Sequence, residues 1–470
     1  MIHSQGFTKT QRLLQAMLVG IRPMIPYFQG CMLVALAAML VLPLFGSAPR
    51  FQWQTPWNNA QLFSEWLLWG LWYPATLLSV LVLGRFWCGV LCPLGAVSEW
   101  VGRVGAHFNP PRWIKHPIAP AFSFLLVTIW AQTLDVRDDL HAALLLFTLI
   151  FVLATACGLL FSGKSGTNRR VWCRHLCPIG SVLGVFSRLG ITSLDPQNAN
   201  QASVTEGYRE HGLCPTSIDL RSKQSARHCI KCARCVKPQS RGGLSIAIRQ
   251  PAEEIIHIEK RSPCASELAF IWFAPGLAVS GFVWSSSSFY MLFRQALGEW
   301  AMQHQWMGMF QTGPAWLMNQ NVSIDQHYMW LDFVSISVFM LGLSVVMASV
   351  LAGISALGAL TFRSPNLPYF YQRVVAFGYQ FAPLAMICIV LGLGSTMFST
   401  LQHALGSWVV GIEVGLIVAA LAFNASTGTR WLNRQSSSKV QWLLAQGLML
   451  AGGAVIAAAS LWSVFPSVSF

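Results

Sequence analysis

About nine stretches of the chain are apolar for long enough to cross a lipid bilayer, and this succession restricts the fold more than any other feature. Hydrocarbon is about 30 Å thick and takes about 20 helical residues to cross. Helices can do so because they satisfy their own backbone hydrogen bonds. The stretches are residues 27–45, 62–83, 118–134, 140–161, 268–283, 328–360, 374–398, 401–423 and 440–465. They predict an all-α integral membrane protein with about nine transmembrane helices. Only 10% of residues are charged, against about 25% in soluble domains, which excludes a soluble enzyme. No small-residue cleavage site follows the first apolar run, so that run is expected to stay as an anchor.

The few charges are biased. The chain has 31 Lys and Arg against 17 Asp and Glu, a net charge of +14. In a soluble protein such a surplus would point to nucleic acid, but in a membrane protein basic residues collect on the cytoplasmic side. With Lys9, Arg12 and Arg22 inside, nine crossings put the C-terminus outside. Arg50, Arg137 and Arg294 then fall outside and the other 28 of the 31 inside. The surplus is an orientation signal, and no nucleic-acid partner is needed to explain it.

Four segments follow. Residues 1–162 form a membrane block, and 163–263 a polar cytoplasmic domain. Residues 264–327 hold the fifth helix and a Trp- and Met-rich outer connection, expected along the membrane surface where Trp concentrates. Residues 328–470 form a four-helix membrane block. Within the polar segment, 244–248 and 254–258 alternate apolar and polar residues about Gln250-Pro251 and predict a β-hairpin.

Nine of the twelve cysteines fall on the expected cytoplasmic side, seven of them in or beside this polar segment. Arg85-Phe-Trp-Cys-Gly-Val-Leu-Cys-Pro-Leu-Gly and Arg170-Val-Trp-Cys-Arg-His-Leu-Cys-Pro-Ile-Gly are two copies of one element. Each copy follows a helix descending to the cytoplasm, so a duplicated helical hairpin would gather Cys88, Cys92, Cys173 and Cys177 at the inner surface. Cys229, Cys232 and Cys235 have the C-x2-C-x2-C spacing that wraps three corners of a 4Fe–4S cube. The usual fourth cysteine is missing, since position 239 is Gln. Cys214, followed by Pro215, is the expected fourth ligand and Cys264 its alternative. Eight cysteines suffice for two 4Fe–4S clusters.

Zinc usually takes paired C-x2-C knuckles or Cys/His pairs and fits this spacing poorly. Disulfides are disfavoured on the reducing side of a membrane. Cys31, Cys157 and Cys388 lie mid-span and read as packing residues. Arg85, Arg174, His175, His228, Lys231 and Arg234 stand near the motif cysteines and, as cations, would favour thiolates.

These motifs make residues 20–263 resemble the membrane-bound polyferredoxins of the NapH, NosR and CcoG type. The resemblance rests on Trp87 to Pro93, Trp172 to Pro178 and Cys229 to Cys235. It implies a small ferredoxin-like iron–sulfur domain in a bacterial inner membrane protein with a periplasmic C-terminus. Electrons would pass between a cytoplasmic or quinone donor and a periplasmic redox or metal protein. A related polyferredoxin accompanies ferrous-iron uptake, which raises an alternative role in iron or copper uptake beside a permease subunit. A transporter with structural or regulatory clusters is a weaker alternative. The chain departs from the family in having one incomplete ferredoxin loop and an additional C-terminal block.

Clusters on the cytoplasmic side cannot reach a periplasmic partner across about 30 Å of hydrocarbon in one hop. A haem b, a flavin or a quinone would have to intervene. His327 and His403 are candidate haem or metal ligands near the outer face. Glu413, about ten residues into the eighth span, and Asp332, near the start of the sixth, are candidates for a proton, ion or quinone path, because carboxyls at depth are costly. Met291, Met302, Met307, Met309, Met318 and Met329 lie in the outer connection, where thioethers could suit copper(I) or act as hydrophobic filler.

Overall fold

The computed structural model describes residues 9–46, 54–161, 170–196, 214–218, 223–236, 244–321, 326–435 and 438–465. Among these, eight helices are long and apolar enough to cross a membrane. They are Lys9–Phe45, Ala60–Leu83, Leu140–Leu160, Ala265–Val283, Trp330–Thr361, Phe370–Leu393, Trp408–Gln435 and Lys439–Val464. The expected span at 118–134 forms the helix Ala119–Thr133, only 15 residues long. Asp135 stops it by adopting a left-handed backbone, φ 56°. The expected eighth span at 401–423 is divided. Gly406, at φ +57°, separates the short helix Ser395–Leu405 from Trp408–Gln435.

Two of the spans begin alike. The Asn59 side chain accepts from the backbone N–H groups of Gln61 and Leu62, and Asp139 accepts from those of His141 and Ala142. Each cap satisfies otherwise unpaired donors and starts a helix that runs to a cysteine motif. The C-terminal ends of Ala60–Leu83 and Leu140–Leu160 and the N-terminal end of Ala265–Val283 meet at this cysteine end. At the other end, Thr133 Oγ1 donates to the Leu317 carbonyl (3.1 Å), Trp284 Nε1 to Gln132 Oε1 (2.9 Å) and Arg294 pairs with Asp332 (2.6 Å).

Ala265–Val283 is the central post of the C-terminal block. Gly276 lets the Trp330–Thr361 helix approach so closely that an added Cβ would stand 2.6 Å from the Leu343 carbonyl. One apolar core runs from these helices into the cysteine-bearing segment, joining Leu277, Met340 and Phe377 to Val182, Phe186, Ile230 and Ile255. The cysteine-bearing segment is thus packed into the block of long helices rather than tethered beside it.

The expected hairpin does not form. Leu244–Ile248 pairs antiparallel with Thr192–Pro196, from Thr192↔Ile248 to Pro196↔Leu244. Residues 253–256 are helical instead. Ala252 turns left-handed (φ 59°), and the helix carries Glu254 inward, where its Oε1 accepts the Ala226 N–H (2.8 Å) and pairs with Arg249 (3.2 Å). Alternation records burial on one side but not which strand lies opposite.

Candidate metal centre

The duplicated motif appears in the backbone as a duplicated corner. Cys92 and Cys177 are each extended, at φ −63°, ψ 116° and φ −60°, ψ 119°, and each precedes a proline that starts a nine-residue helix, Pro93–Val101 and Pro178–Phe186. Proline disfavours the α conformation in the residue before it and is preorganised for the first helical position. Each thiol is therefore placed at a helix N-terminus, and Cys177 Sγ accepts the Gly180 N–H at 3.3 Å.

The two copies hold each other. Arg170 Nη1 donates to the Cys88 carbonyl (2.5 Å), while Arg85 Nη2 donates to the Cys173 carbonyl (3.3 Å). The glycine of each Cys-Pro-x-Gly leaves room for the reach. A Cβ on Gly95 would stand 2.9 Å from Arg170 Nη1, and one on Gly180 would stand 3.3 Å from Arg85 Nη2. Cys88 and Cys173 are buried, and Cys92 and Cys177 partly so. Burial, with Cys173 and Cys88 nearby, pushes the Cys92 thiol up to about 12, and burial with the same kind of neighbours pushes Cys177 up. Four thiolates gathered in an apolar site repel one another unless a metal offsets their charge.

The second group lines a cavity of about 350 Å3 that includes Cys214, Cys229, Cys232 and Cys235. The loop curls through two left-handed residues, Lys231 (φ 51°) and Ala233 (φ 55°). Cys214 is brought in by its neighbours. The Pro215 carbonyl accepts the Arg170 N–H (3.1 Å), Arg174 Nη1 donates to the Thr216 and Ser217 carbonyls (2.5 and 2.7 Å), and Thr216 Oγ1 donates to the His228 carbonyl (3.2 Å). Burial pushes Cys232 and Cys235 up as well. Among the described residues, no three His, Cys, Asp or Glu side chains converge on a single metal ion. A structural zinc needs its thiolates about 2.3 Å from one point, whereas a cubane presents four separate irons to four cysteines. The C-x2-C-x2-C spacing of the loop and its all-cysteine donors fit a cubane cluster.

Two segments match the model of a 4Fe–4S binding domain, residues 65–111 and 140–192, each containing one copy of the repeated motif. The chain carries a 4Fe–4S binding domain in these two segments.

Curated relatives are distant. YccM of Escherichia coli (strain K12), whose name assigns it provisionally to electron transport, is 26% identical over 37% of this chain and 54% of its own. The ferredoxin-type protein NapH of the same organism is 24% identical over 37% of this chain and 66% of its own. An uncharacterized protein of Methanocaldococcus jannaschii is 25% identical over 35% and 65%. The chain thus spans between about half and two thirds of the length of these relatives. No solved structure matches it.

The two cysteine groups abut. A Cβ on Gly89, next to Cys88, would stand 2.0 Å from the Ile230 carbonyl and 3.1 Å from the Cys232 N–H. Beside this contact is a residue that motif spacing did not single out, Glu99. It accepts from Arg170 Nε (2.8 Å) and also pairs with Arg234 of the ferredoxin loop. Burial pushes its carboxyl up, and Arg170 and Arg234 outweigh this, holding it below the usual carboxylate range. The signal in the sequence was a lone acid in an otherwise apolar helix, seven positions after Cys92.

The expected cations beside the cysteines need correction. Burial, with Arg174, Lys115 and Arg227, holds His175 down to about 4, and burial with the surrounding arginines holds His228 well below its ordinary value. Both imidazoles are neutral at neutral pH, and burial lowers Lys231 to about 7. The arginines carry the positive charge.

Cys264 lies elsewhere, at the start of Ala265–Val283, with its Sγ 3.1 Å from Ser266 Oγ and its N–H donating to Tyr379 Oη (3.0 Å). Burial pushes its thiol up, but Arg227 and Ser266 outweigh this and leave it below the ordinary thiol range. Cys157 and Cys388 are buried, and Cys31 is exposed on its helix. Asp332 is engaged structurally, pairing with Arg294 and accepting the Met329 N–H (2.9 Å) at the start of Trp330–Thr361. Glu413 is half-buried in Trp408–Gln435. His327 is exposed on the two-residue strand Gln326–His327. His403 belongs to Ser395–Leu405, and its side chain lies outside the described residues. Met318 is buried, whereas Met291, Met302 and Met307 are exposed.

Proposed function

We propose that this chain is an inner-membrane electron carrier holding two 4Fe–4S clusters, one on Cys88, Cys92, Cys173 and Cys177 and one on Cys214, Cys229, Cys232 and Cys235. The supporting observation is that these cysteines, from three distant parts of the sequence, form two groups in direct contact through Gly89 and Ile230. When bound, such clusters supply one-electron transfer at potentials set by nearby charge, hydrogen bonds and solvent exposure. Arg170, fully buried between the two groups, contributes positive charge to both, and Glu99 moderates it. The apolar core around Ile230 and Phe186 excludes water.

The basic residues favour a cytoplasmic cluster end with the N-terminus inside; the eight long spans and the short helix Ala119–Thr133, whose Thr133 end meets Leu317 away from the cysteines, then make nine crossings and put the C-terminus in the periplasm. Exchange with a periplasmic redox or metal protein then requires a second carrier across about 30 Å. His327 stands exposed on a short strand rather than on a helix facing another histidine, which speaks against a haem b there and leaves a quinone or a flavin for this role. An alternative role in iron or copper uptake with a permease expects a soft-metal platform at the outer end. The buried Met318 and the exposed Met291, Met302 and Met307 face different surroundings.

The test is metal analysis of anaerobically purified protein. About eight irons and eight acid-labile sulfides per chain are expected, with a brown absorbance bleached by dithionite. Cys214→Ser should reduce the iron to about four, and Cys264→Ser should leave about eight. Zinc in place of iron and sulfide, or iron loss only in the Cys264 variant, refutes the assignment.

A further inference from the structure

The repeat is symmetric in its arginines but not in what they meet. Arg85 and Arg170 occupy equivalent positions, 85 residues apart. Arg170 reaches across to the helix Pro93–Val101 and finds Glu99. The equivalent of Glu99 in the helix Pro178–Phe186, again 85 residues on, is Gly184. Arg85 therefore reaches across to a position that has no side chain.

A pocket stands there, lined by Arg85, Arg174, Ser181, Arg227, His228 and Glu267 among others. Its single carboxylate is already engaged: Glu267 binds Arg188 (2.8 Å), Arg227 (3.2 Å) and the Tyr379 hydroxyl. Among the described residues, Arg85, 2% exposed, donates only to backbone carbonyls, those of Arg227 (2.6 Å) and Cys173 (3.3 Å). Arg174 likewise donates to the Thr216 and Ser217 carbonyls. Among the described residues, Nε of each arginine has no acceptor. Two guanidinium groups at a buried chamber without a carboxylate of their own are costly, and their planar forks match oxyanions.

We propose that this chamber binds a phosphate-type oxyanion, which takes in the second copy the place that the Glu99 carboxylate takes in the first. Its other wall includes Pro120 and Phe270, from two membrane-end helices. Free phosphate and the headgroup of an anionic phospholipid share the required chemistry.

The experiment is equilibrium dialysis of the full chain, loaded with iron and sulfide and stripped of lipid in neutral detergent, against radiolabelled inorganic phosphate. One saturable site per chain is expected. Arg174→Gln should weaken it about tenfold or more. Gly184→Glu, which supplies the missing carboxylate, should abolish it while iron and sulfide stay at the wild-type level. The added Cβ is tolerated if the Arg227 carbonyl, 3.2 Å away, yields slightly. If Gly184→Glu fails to load iron, Ser181→Asp makes the same test from the neighbouring turn, and the exposed Arg103→Gln serves as a control that should leave binding unchanged. Displacement of the label by phosphatidylglycerol but not by phosphatidylcholine identifies a lipid headgroup as the ligand, and no displacement identifies the free ion. The absence of saturable binding in loaded protein overturns the proposal, because Arg85 and Arg174 would then serve only to offset cluster charge. Binding undiminished in an iron-loaded Gly184→Glu or Ser181→Asp variant also overturns it.

Discussion

Glu99→Gln is the most informative substitution, because Glu99 links both cysteine groups. Its side chain is 2% exposed, that of Arg170 is 0% exposed, and Arg234, on its other oxygen, is 27% exposed. Glutamine keeps the size and one acceptor but removes the charge, and its amide hydrogens face one of the two guanidiniums. Breaking a buried pair while leaving the other charge in place costs about 3–5 kcal/mol. The electrostatic effect is separate. A unit charge about 10 Å away at an effective dielectric of 20 contributes about 1.7 kcal/mol, or about 70 mV for one electron. Removing a negative charge eases electron addition, so both cluster potentials should rise by several tens of millivolts. Redox titration of cluster-loaded protein, followed by electron paramagnetic resonance, reads the potentials, and thermal unfolding in detergent reads the stability. Potentials within about 10 mV of wild type, with stability lowered by less than about 1 kcal/mol, would show that Glu99 neither couples the groups nor compensates Arg170.

Three further outcomes can be measured. Gly89→Ala places a Cβ against the Ile230 carbonyl, so it should separate the two groups and lower iron from about eight to about four per chain; full loading refutes the contact. Asp135 lies outside the membrane spans, and burial, with Asp138 and Asp139 nearby, pushes its carboxyl up to about 6. The folded protein therefore keeps a proton that the unfolded chain gives up from about pH 4, and stability falls as pH rises through about 4 to 6. Asp135→Asn should add on the order of 1–2 kcal/mol at pH 7.5 and nothing near pH 4, read by thermal unfolding across pH; a gain independent of pH contradicts this. Gly276→Ala drives a Cβ into the Leu343 carbonyl and should lower stability by about 1–3 kcal/mol without lowering the iron content, since Gly276 is distant in the chain from every proposed ligand.

The spans were largely legible because lipid imposes a length and a composition that a sequence displays directly. Lys439–Val464 and Leu140–Leu160 fall within a few residues of the stretches read from hydropathy. The division at Gly406 was not legible, since hydropathy averages across a glycine whose left-handed backbone ends one helix and starts another. The two Cys-Pro corners were legible for a local reason: a proline fixes its own backbone and restricts the residue before it. Long-range pairing was not. Leu244–Ile248 could have paired with the segment after it as readily as with Thr192–Pro196, because alternation carries no record of its partner.

By itself the sequence singled out the residues proposed to carry the chemistry, a repeated cysteine corner and a ferredoxin-type loop set among apolar helices. Only the tertiary structure decided how the copies interlock, with Arg85 and Arg170 each reaching to the other's cysteine backbone. It also brought Glu99 onto Arg170 of one group and onto Arg234 of the other, 135 residues away in the chain, and left Gly184 opposite an arginine that lacks such a partner. The reason is physical. Ligand spacing and helix starts are fixed by bonds within a few residues, whereas the compensation of buried charge depends on which side chains folding brings together.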